Sequence, residues 1–199
     1  MYKRQVDRAV VCHASAWDID SANQDLRIKM CIEKNEEDFS TIHHELGHIF
    51  YYQAYKDQPV VFQRGANDGF HEAVGDLLTL SITPNYLEQI GFATATEADL
   101  AKQNEVAFLM KKALDSVVAT PWTLMLDKWR MAVFNGELTD SELNDYWWEL
   151  REKYQGVRSP NKRPADAFDP GAKYHVPGNT PYTRSVSYTH LRAHETSFH

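Results

Sequence analysis

A histidine, a glutamate and a second histidine stand in the run His44-Glu45-Leu46-Gly47-His48, and a further acidic residue follows in Phe70-His71-Glu72-Ala73. On a helix, residues four apart share a face, so His44 and His48 can offer both imidazoles to one metal ion. Glu45 lies beside them, within reach of a water at that ion. With Glu72 as third ligand, two imidazoles and a carboxylate leave a tetrahedral Zn²⁺ with its fourth position open. That is the arrangement of a hydrolytic centre, because structural zinc sites are closed by four protein ligands. Asp76, four residues beyond Glu72, shares its helix face and is placed to accept a ring N–H from a ligating histidine.

These side chains need two helices to carry them. Asn35 followed by Asp38 predicts a capped helix start with an acidic first turn. Ile42, Leu46, Ile49 and Gln53 recur at spacings of three and four, which predicts an apolar stripe on a helix ending near Asp57-Gln58-Pro59. The cluster Gly65-Ala66-Asn67-Asp68-Gly69 predicts a turn, with Asn67 or Asp68 capping the helix that carries His71, Glu72 and Asp76. Upstream, 9–17 and 26–32 predict two strands joined through turn-forming residues at 18–25. Such a hairpin brings Cys12 near Cys31, where a disulfide is geometrically possible.

Downstream, Thr83-Pro84 predicts a short helical turn ended by Gly91, and Thr96-Glu97-Ala98-Asp99 the start of a long helix. Pro121 is expected to open another helix that stops at Asn135-Gly136. Thr139 to Glu142 forms a capping box before a helix with Tyr146, Trp147, Trp148, Leu150 and Arg151 that ends near Gln155-Gly156. From Val157 to Pro181 the chain reads as loop. The expected fold is mainly α with one small β-ribbon.

Composition sets the bounds. The 199 residues are 43% hydrophobic and 25% charged, ordinary for a globular protein with a core of its own. A formal charge of −7 argues against a nucleic-acid partner. No apolar run approaches membrane-spanning length, and the N-terminal residues lack the apolar core of a signal peptide. Two cysteines by themselves leave the redox compartment open.

The runs Val-Val-Cys-His-Ala-Ser-Ala-Trp-Asp at 10–18, His-His-Glu-Leu-Gly-His at 43–48 and Arg-Gly-Ala-Asn-Asp-Gly-Phe-His-Glu-Ala-Val-Gly-Asp at 64–76 closely resemble the angiotensin-converting-enzyme family of zinc peptidyl-dipeptidases. So do Trp-Trp-Glu-Leu-Arg at 147–151, Lys-Tyr-Gln-Gly at 153–156 and Asp-Pro-Gly-Ala-Lys-Tyr-His-Val-Pro at 169–177. The likeness runs from about Val6 to Arg184. It implies a gluzincin-type zinc metallopeptidase core with a small β-hairpin, present as a partial domain. On this reading 1–5 and 185–199 are ends foreign to the family, and 6–184 is the central catalytic part.

By resemblance, His44, His48 and Glu72 are the zinc ligands and Glu45 the general base. His175 assists the reaction intermediate and the departing amine. Lys173 and Tyr182 hold the substrate's C-terminal carboxylate, and His13 and Ala14 belong to the strand along which the peptide lies. Trp147 with Arg151, and separately Arg184, resemble chloride-binding positions, with chloride a possible activator. Cys12 and Cys31 match a family disulfide. Ser185 stands where the family has an oxyanion-stabilising tyrosine, so the isolated fragment is expected to be inactive.

The function implied is a zinc peptidase whose parent releases dipeptides from peptides with a free C-terminus. The alternatives are a carboxypeptidase-type relative and a zinc-binding pseudoenzyme or interaction module. A bacterial member is expected, its parent periplasmic, secreted or membrane-associated.

Overall fold

Alternation of apolar and polar residues builds an antiparallel ribbon from β1 (Ser15–Asp20) and β2 (Asp25–Lys29). Ser15 pairs with Lys29, Ala16 with Ile28, Trp17 with Arg27 and Asp18 with Leu26, and the ladder is irregular between Asp18 and Asp20. The computed structural model describes residues 10–67 and 69–183; Asp68, Arg184 and Ser185, and the ends 1–5 and 185–199, lie outside them. The first strand starts later than its composition predicts and runs on through Asp20. The reason lies in the turn, where the Asp20 carboxylate accepts from Asn23 N (3.1 Å) and Nδ2 (2.8 Å) and Gln24 takes φ 56°. Asp20 therefore closes the strand, and four residues suffice to reverse it. Cys12, His13 and Ala14 precede the ladder, a correction to their expected place in a strand. There a Cys12–Cys31 disulfide, Cα atoms 4.9 Å apart, ties the open end of the ribbon.

Helix α1 (Glu36–Tyr55) begins as predicted: the Asn35 side chain accepts from Asp38 N at 2.7 Å, and Glu36, Glu37 and Asp38 occupy the positive end of the helix dipole. A 3₁₀ turn (Val60–Phe62) leads to α2 (Phe70–Leu80). Gly69 holds the cap position of α2 without a side-chain bond, while Asn67 Oδ1 accepts from Gly69 N at 2.8 Å. Asn67 thus builds the turn before the helix rather than capping it. On α1 the buried residues are Glu45, Gly47 and His48, while Ile42, Leu46 and Ile49 are half-buried. The polar edge faces inward because it is the one that meets α2.

Helix α3 (Pro84–Gln89) follows with Thr83 capping Tyr86 N, and Gly91 (φ 76°) ends it. Tyr86 Oη meets His43 Nε2 at 2.9 Å, which ties α3 to α1. Helix α4 (Ala95–Gln103) starts on a Thr94–Glu97 box. These elements, through Glu105, form one compact unit.

A second unit begins at Val106. Helix α5 (Glu105–Phe134) is separate from α4 and keeps Pro121 inside it, against the expectation of one helix from Thr96 and a new one at Pro121. A proline removes one helical bond, a cost of about 3 kcal/mol. Burial of Met125, Leu126 and Trp129 just beyond it offsets that loss, since each fully buried large side chain contributes about 1.5–3 kcal/mol. Gly136 (φ 70°) ends the helix as predicted.

Before α6 (Leu143–Gln155) the expected capping box is only half made. Thr139 donates its N–H (2.8 Å) and hydroxyl (2.7 Å) to the Glu142 carboxylate, Glu142 holds the cap position without a side-chain bond, and Gly156 closes the helix at φ 66°. Met125, Leu126 and Trp129 of α5 pack with Trp147 and Leu150 of α6 as the core of this unit. A 3₁₀ turn (Asp169–Ala172) is held to α6 by the Asp169 carboxylate, which accepts from Trp148 Nε1 (2.8 Å) and Asn144 Nδ2 (3.1 Å). Val106, Leu109, Met110, Leu114, Val117 and Val118 of α5 are each more than half exposed, in line with a partial domain.

Candidate functional site

The backbones of α1 and α2 touch where they cross. A Cβ added to Gly47 would lie 2.6 Å from Gly75 Cα and 2.8 Å from Val74 O. This approach brings the α1 histidines to the α2 carboxylates. His44 Nε2 lies 3.3 Å from Glu72 Oε2, and His48 Nε2 lies 3.8 Å from Glu72 Oε1. On the other side of the ring, His44 Nδ1 is 2.8 Å from Asp76 Oδ1. One donor atom each from His44, Glu45 and His48 also fall within 4.8 Å of one another.

These spacings fit a metal ion. Zinc bonds of about 2.0–2.1 Å in a tetrahedron put neighbouring ligand atoms about 3.3 Å apart. Two further observations point to a missing partner. Glu45 Oε2 and His48 Nδ1 are buried and make no hydrogen bond among the described residues. Buried polar atoms are otherwise nearly always paired. Glu72 is the better third ligand than Glu45, because its two oxygens already face the two Nε2 atoms.

The electrostatics of the metal-free cluster are polarised. Burial disfavours charge on His44, but hydrogen bonds to Asp76 and Glu72 outweigh it and raise its pKa to about 10. His48, buried without such a partner, falls to about 4. Burial pushes the Glu45 carboxyl up.

In the second unit, Lys173, His175 and Tyr182 come together. Lys173 Nζ donates to Tyr182 Oη at 3.1 Å and also lies 4.8 Å from the centre of that ring. The His175 ring packs edge-on against Tyr182 at 4.6 Å. Trp147 is a core residue, 4% exposed, in edge contact with Trp122 and Trp129. The Arg151 guanidinium lies over Trp122 at 4.8 Å and over Trp148 at 6.0 Å. Arg151 is half-buried and also donates to Gln155 Oε1, while Arg184, the other charged residue among the expected chloride positions, lies outside the described residues.

The family model described as angiotensin-converting enzyme, peptidase M2, matches residues 1–192. The chain belongs to the angiotensin-converting enzyme family. It is 49% identical over 178 residues to the angiotensin-converting enzyme of Bos taurus, an alignment covering 89% of this chain and 13% of that protein. It is 45% identical over 185 residues to that of Theromyzon tessulatum, covering 92% of this chain and 30% of the relative. The Haematobia irritans exigua enzyme is 45% identical over 178 residues, with 89% and 29% covered. The chain therefore spans well under half the length of these relatives. All three are animal proteins, and they lend no support to the expected bacterial source.

Some residues that shape this family site escaped the motif reading. Gly47 and Gly75 set the helix crossing. Glycine is disfavoured inside helices, so one on each metal-motif helix was the available signal of close backbone approach. His71 is packed among Tyr51, Tyr52 and Tyr55, and its Nε2 meets Tyr55 Oη at 3.1 Å. This aromatic cluster locks the first turn of α2, and with it Glu72, to the end of α1. Beside it opens a cavity of about 580 Å³, bordered by Trp17, Asp18, Tyr52, Tyr55, Arg64 and His71. No sequence pattern announced it, because its walls come from three separate segments.

Proposed function

We propose that this chain carries the zinc centre and the carboxylate-binding groups of a peptidyl-dipeptidase, which releases dipeptides from peptides with a free C-terminus. The observation that carries the reading is the convergence of His44 Nε2 and His48 Nε2 on the two oxygens of Glu72, with Asp76 behind His44. Zinc held by His44, His48 and Glu72 supplies a Lewis acid for a peptide carbonyl and lowers the pKa of a water. Glu45 takes the proton of the attacking water and hands it to the leaving nitrogen. Asp76 fixes the His44 ring with Nε2 turned toward Glu72 and raises its basicity.

His175 assists the departing amine, and Lys173 with Tyr182 receives the substrate's C-terminal carboxylate. The paired ammonium and phenol support this assignment, since a carboxylate accepts from both. His13 and Ala14 offer backbone to the peptide, and Trp147, Arg151 and Arg184 are the chloride positions. The Cys12–Cys31 disulfide suits a protein that works outside the cytosol, secreted or membrane-associated. Among the described residues no helix is long and apolar enough to cross a membrane.

The test is a pair of measurements on the whole protein. Zinc content is expected at one ion per chain, and a tripeptide blocked at its N-terminus is expected to yield its C-terminal dipeptide. Release of a single C-terminal amino acid would favour the carboxypeptidase reading. Zinc binding with no cleavage of any peptide would favour the pseudoenzyme.

A further inference from the structure

The helix crossing contains two glycines, and the structure assigns them different roles: Gly47 sets how closely α1 approaches α2, while Gly75 is the bare seat that positions the His44 ring between its two carboxylates. A Cβ on Gly75 would stand 2.8 Å from His44 Cε1, 2.8 Å from Nδ1 and 3.0 Å from Nε2. All three contacts are ring atoms, so the imidazole lies across the Gly75 Cα. Glu72 lies three residues before Gly75 and Asp76 one residue after it. Each reaches one ring nitrogen, at 3.3 Å and 2.8 Å. A methyl group at position 75 would lift the ring by several tenths of an ångström and lengthen both contacts together.

Position 47 behaves differently. A Cβ there would meet Gly75 Cα at 2.6 Å and Gly75 N and Val74 O at 2.8 Å, all of them backbone. No side chain can turn aside to relieve that clash, so the helices themselves must part. The backbone contact at Gly47 holds α1 against α2 whether or not position 44 carries a ring. Gly75 is thus a positioning residue that acts through one histidine, and Gly47 one that acts through the whole helix pair. Alanine is the better helix former at either place, so local preference explains neither glycine.

The consequence for metal binding rests on the zinc reading above, whereas the ring seat does not. Four forms of the full 199-residue chain separate them: wild type, Gly75→Ala, His44→Ala and the double variant. Thermal midpoints without metal and zinc affinity by competition with a chromophoric chelator are the readouts, with Gly47→Ala in both backgrounds as the control. Gly75→Ala is expected to weaken zinc about 10- to 100-fold, the usual loss for a residue supporting a metal ligand. It is also expected to lower the metal-free midpoint when His44 is present and not when His44 is alanine.

Gly47→Ala is expected to lower the midpoint equally in both backgrounds. Equal losses for Gly75→Ala in the two backgrounds would overturn the seat, as would unchanged zinc affinity in a chain that binds zinc. A wild-type chain that binds no zinc, yet shows the coupling between positions 44 and 75, would sink the zinc reading and uphold the seat.

Discussion

In the first unit His44 and His48 lie one turn apart on a helix, so their spacing along the chain is already their spacing in space. In the second, Lys173, His175 and Tyr182 lie on a largely irregular stretch that α5 holds in shape. There the Asp127 carboxylate accepts from the backbone N–H of Tyr182 (3.3 Å) and of Thr183 (2.7 Å). Arg130, itself 8% exposed, donates to Thr180 O and to Asn179 Oδ1. One cluster is fixed by helical periodicity and a glycine crossing, the other by tertiary hydrogen bonds from residues that carry no motif. Periodicity can be read from sequence, and tertiary hydrogen bonding cannot.

The largest expected effect breaks the first region and spares the second. Zinc sites bind with about 10–16 kcal/mol in structural cases, so one ligand among a few is worth roughly 3–4 kcal/mol, or several hundredfold. His48→Ala should lose zinc on that scale, and Lys173→Ala should leave zinc affinity unchanged. Glu45→Gln should keep zinc, yet lower peptide hydrolysis in the whole protein by about a hundredfold to ten-thousandfold, because an amide cannot accept the proton. Zinc loss in Lys173→Ala would show that the two clusters are not energetically separate. Atomic absorption and single-turnover assays decide the matter.

The same region should answer to pH. His44 is raised, so its stabilisation of the metal-free fold is fully present below its unfolded pKa of 6.5 and is lost as pH rises through about 10. His48 is lowered, so its contribution is present above 6.5 and lost as pH falls through about 4. Zinc needs a neutral imidazole at both. At pH 7.5 binding should therefore release about one proton, from His44, measurable by calorimetry in buffers of different ionisation heat. No proton release would mean that Asp76 and Glu72 do not hold His44 charged.

Next in size is the disulfide at the open end of the ribbon. Cys12→Ser with Cys31→Ser frees a loop with a sequence separation of 19, which should cost about 3 kcal/mol in chemical denaturation. The hairpin reading made the pairing geometrically possible and the family likeness pointed to it, although β1 starts after Cys12 and β2 ends before Cys31. The same limit appears at Pro121. Local preference starts a helix there, and only the buried Met125, Leu126 and Trp129 explain why α5 runs through it. Caps, breakers and periodicity pointed to the mainly helical class and to α1, α3 and α6. The glycine crossing, the Tyr–His71 cluster and the Asp127–Arg130 anchor depend on which segments meet, which one sequence does not state.

Asp127→Ala tests that anchor. Two backbone N–H groups lose their acceptor, and a loss of about 1–3 kcal/mol is expected for a half-buried charged acceptor. Trp122, Trp129, Trp147 and Trp148 all lie in this unit, so tryptophan fluorescence during denaturation should report the loss. Zinc affinity should not change. If Asp127→Ala leaves stability intact, the stretch around Tyr182 is held by its own local turns and the contrast between the two regions fails.

The smallest effects should be equal in the two regions, which makes them the cleanest control on the comparison. Asn35 caps α1 through Asp38 N, and Thr139 donates its N–H and its hydroxyl to the Glu142 carboxylate in the turn before α6. Both lie on the surface and both were marked in the sequence, but only Asn35 satisfies a helix N-terminal donor, while the Thr139 bonds fix the turn. Asn35→Ala and Thr139→Ala should each cost about 1 kcal/mol, the usual value of a cap for the first and of a hydrogen bond for the second. Neither should alter zinc affinity, since the α1 metal residues begin two turns beyond Asn35 and are held at the far side by the glycine contact with α2. A cap variant at Asn35 that weakened zinc more than stability would show that α1 transmits strain from its first turn to His44. The metal residues would then depend on the start of the helix as well as on its crossing with α2.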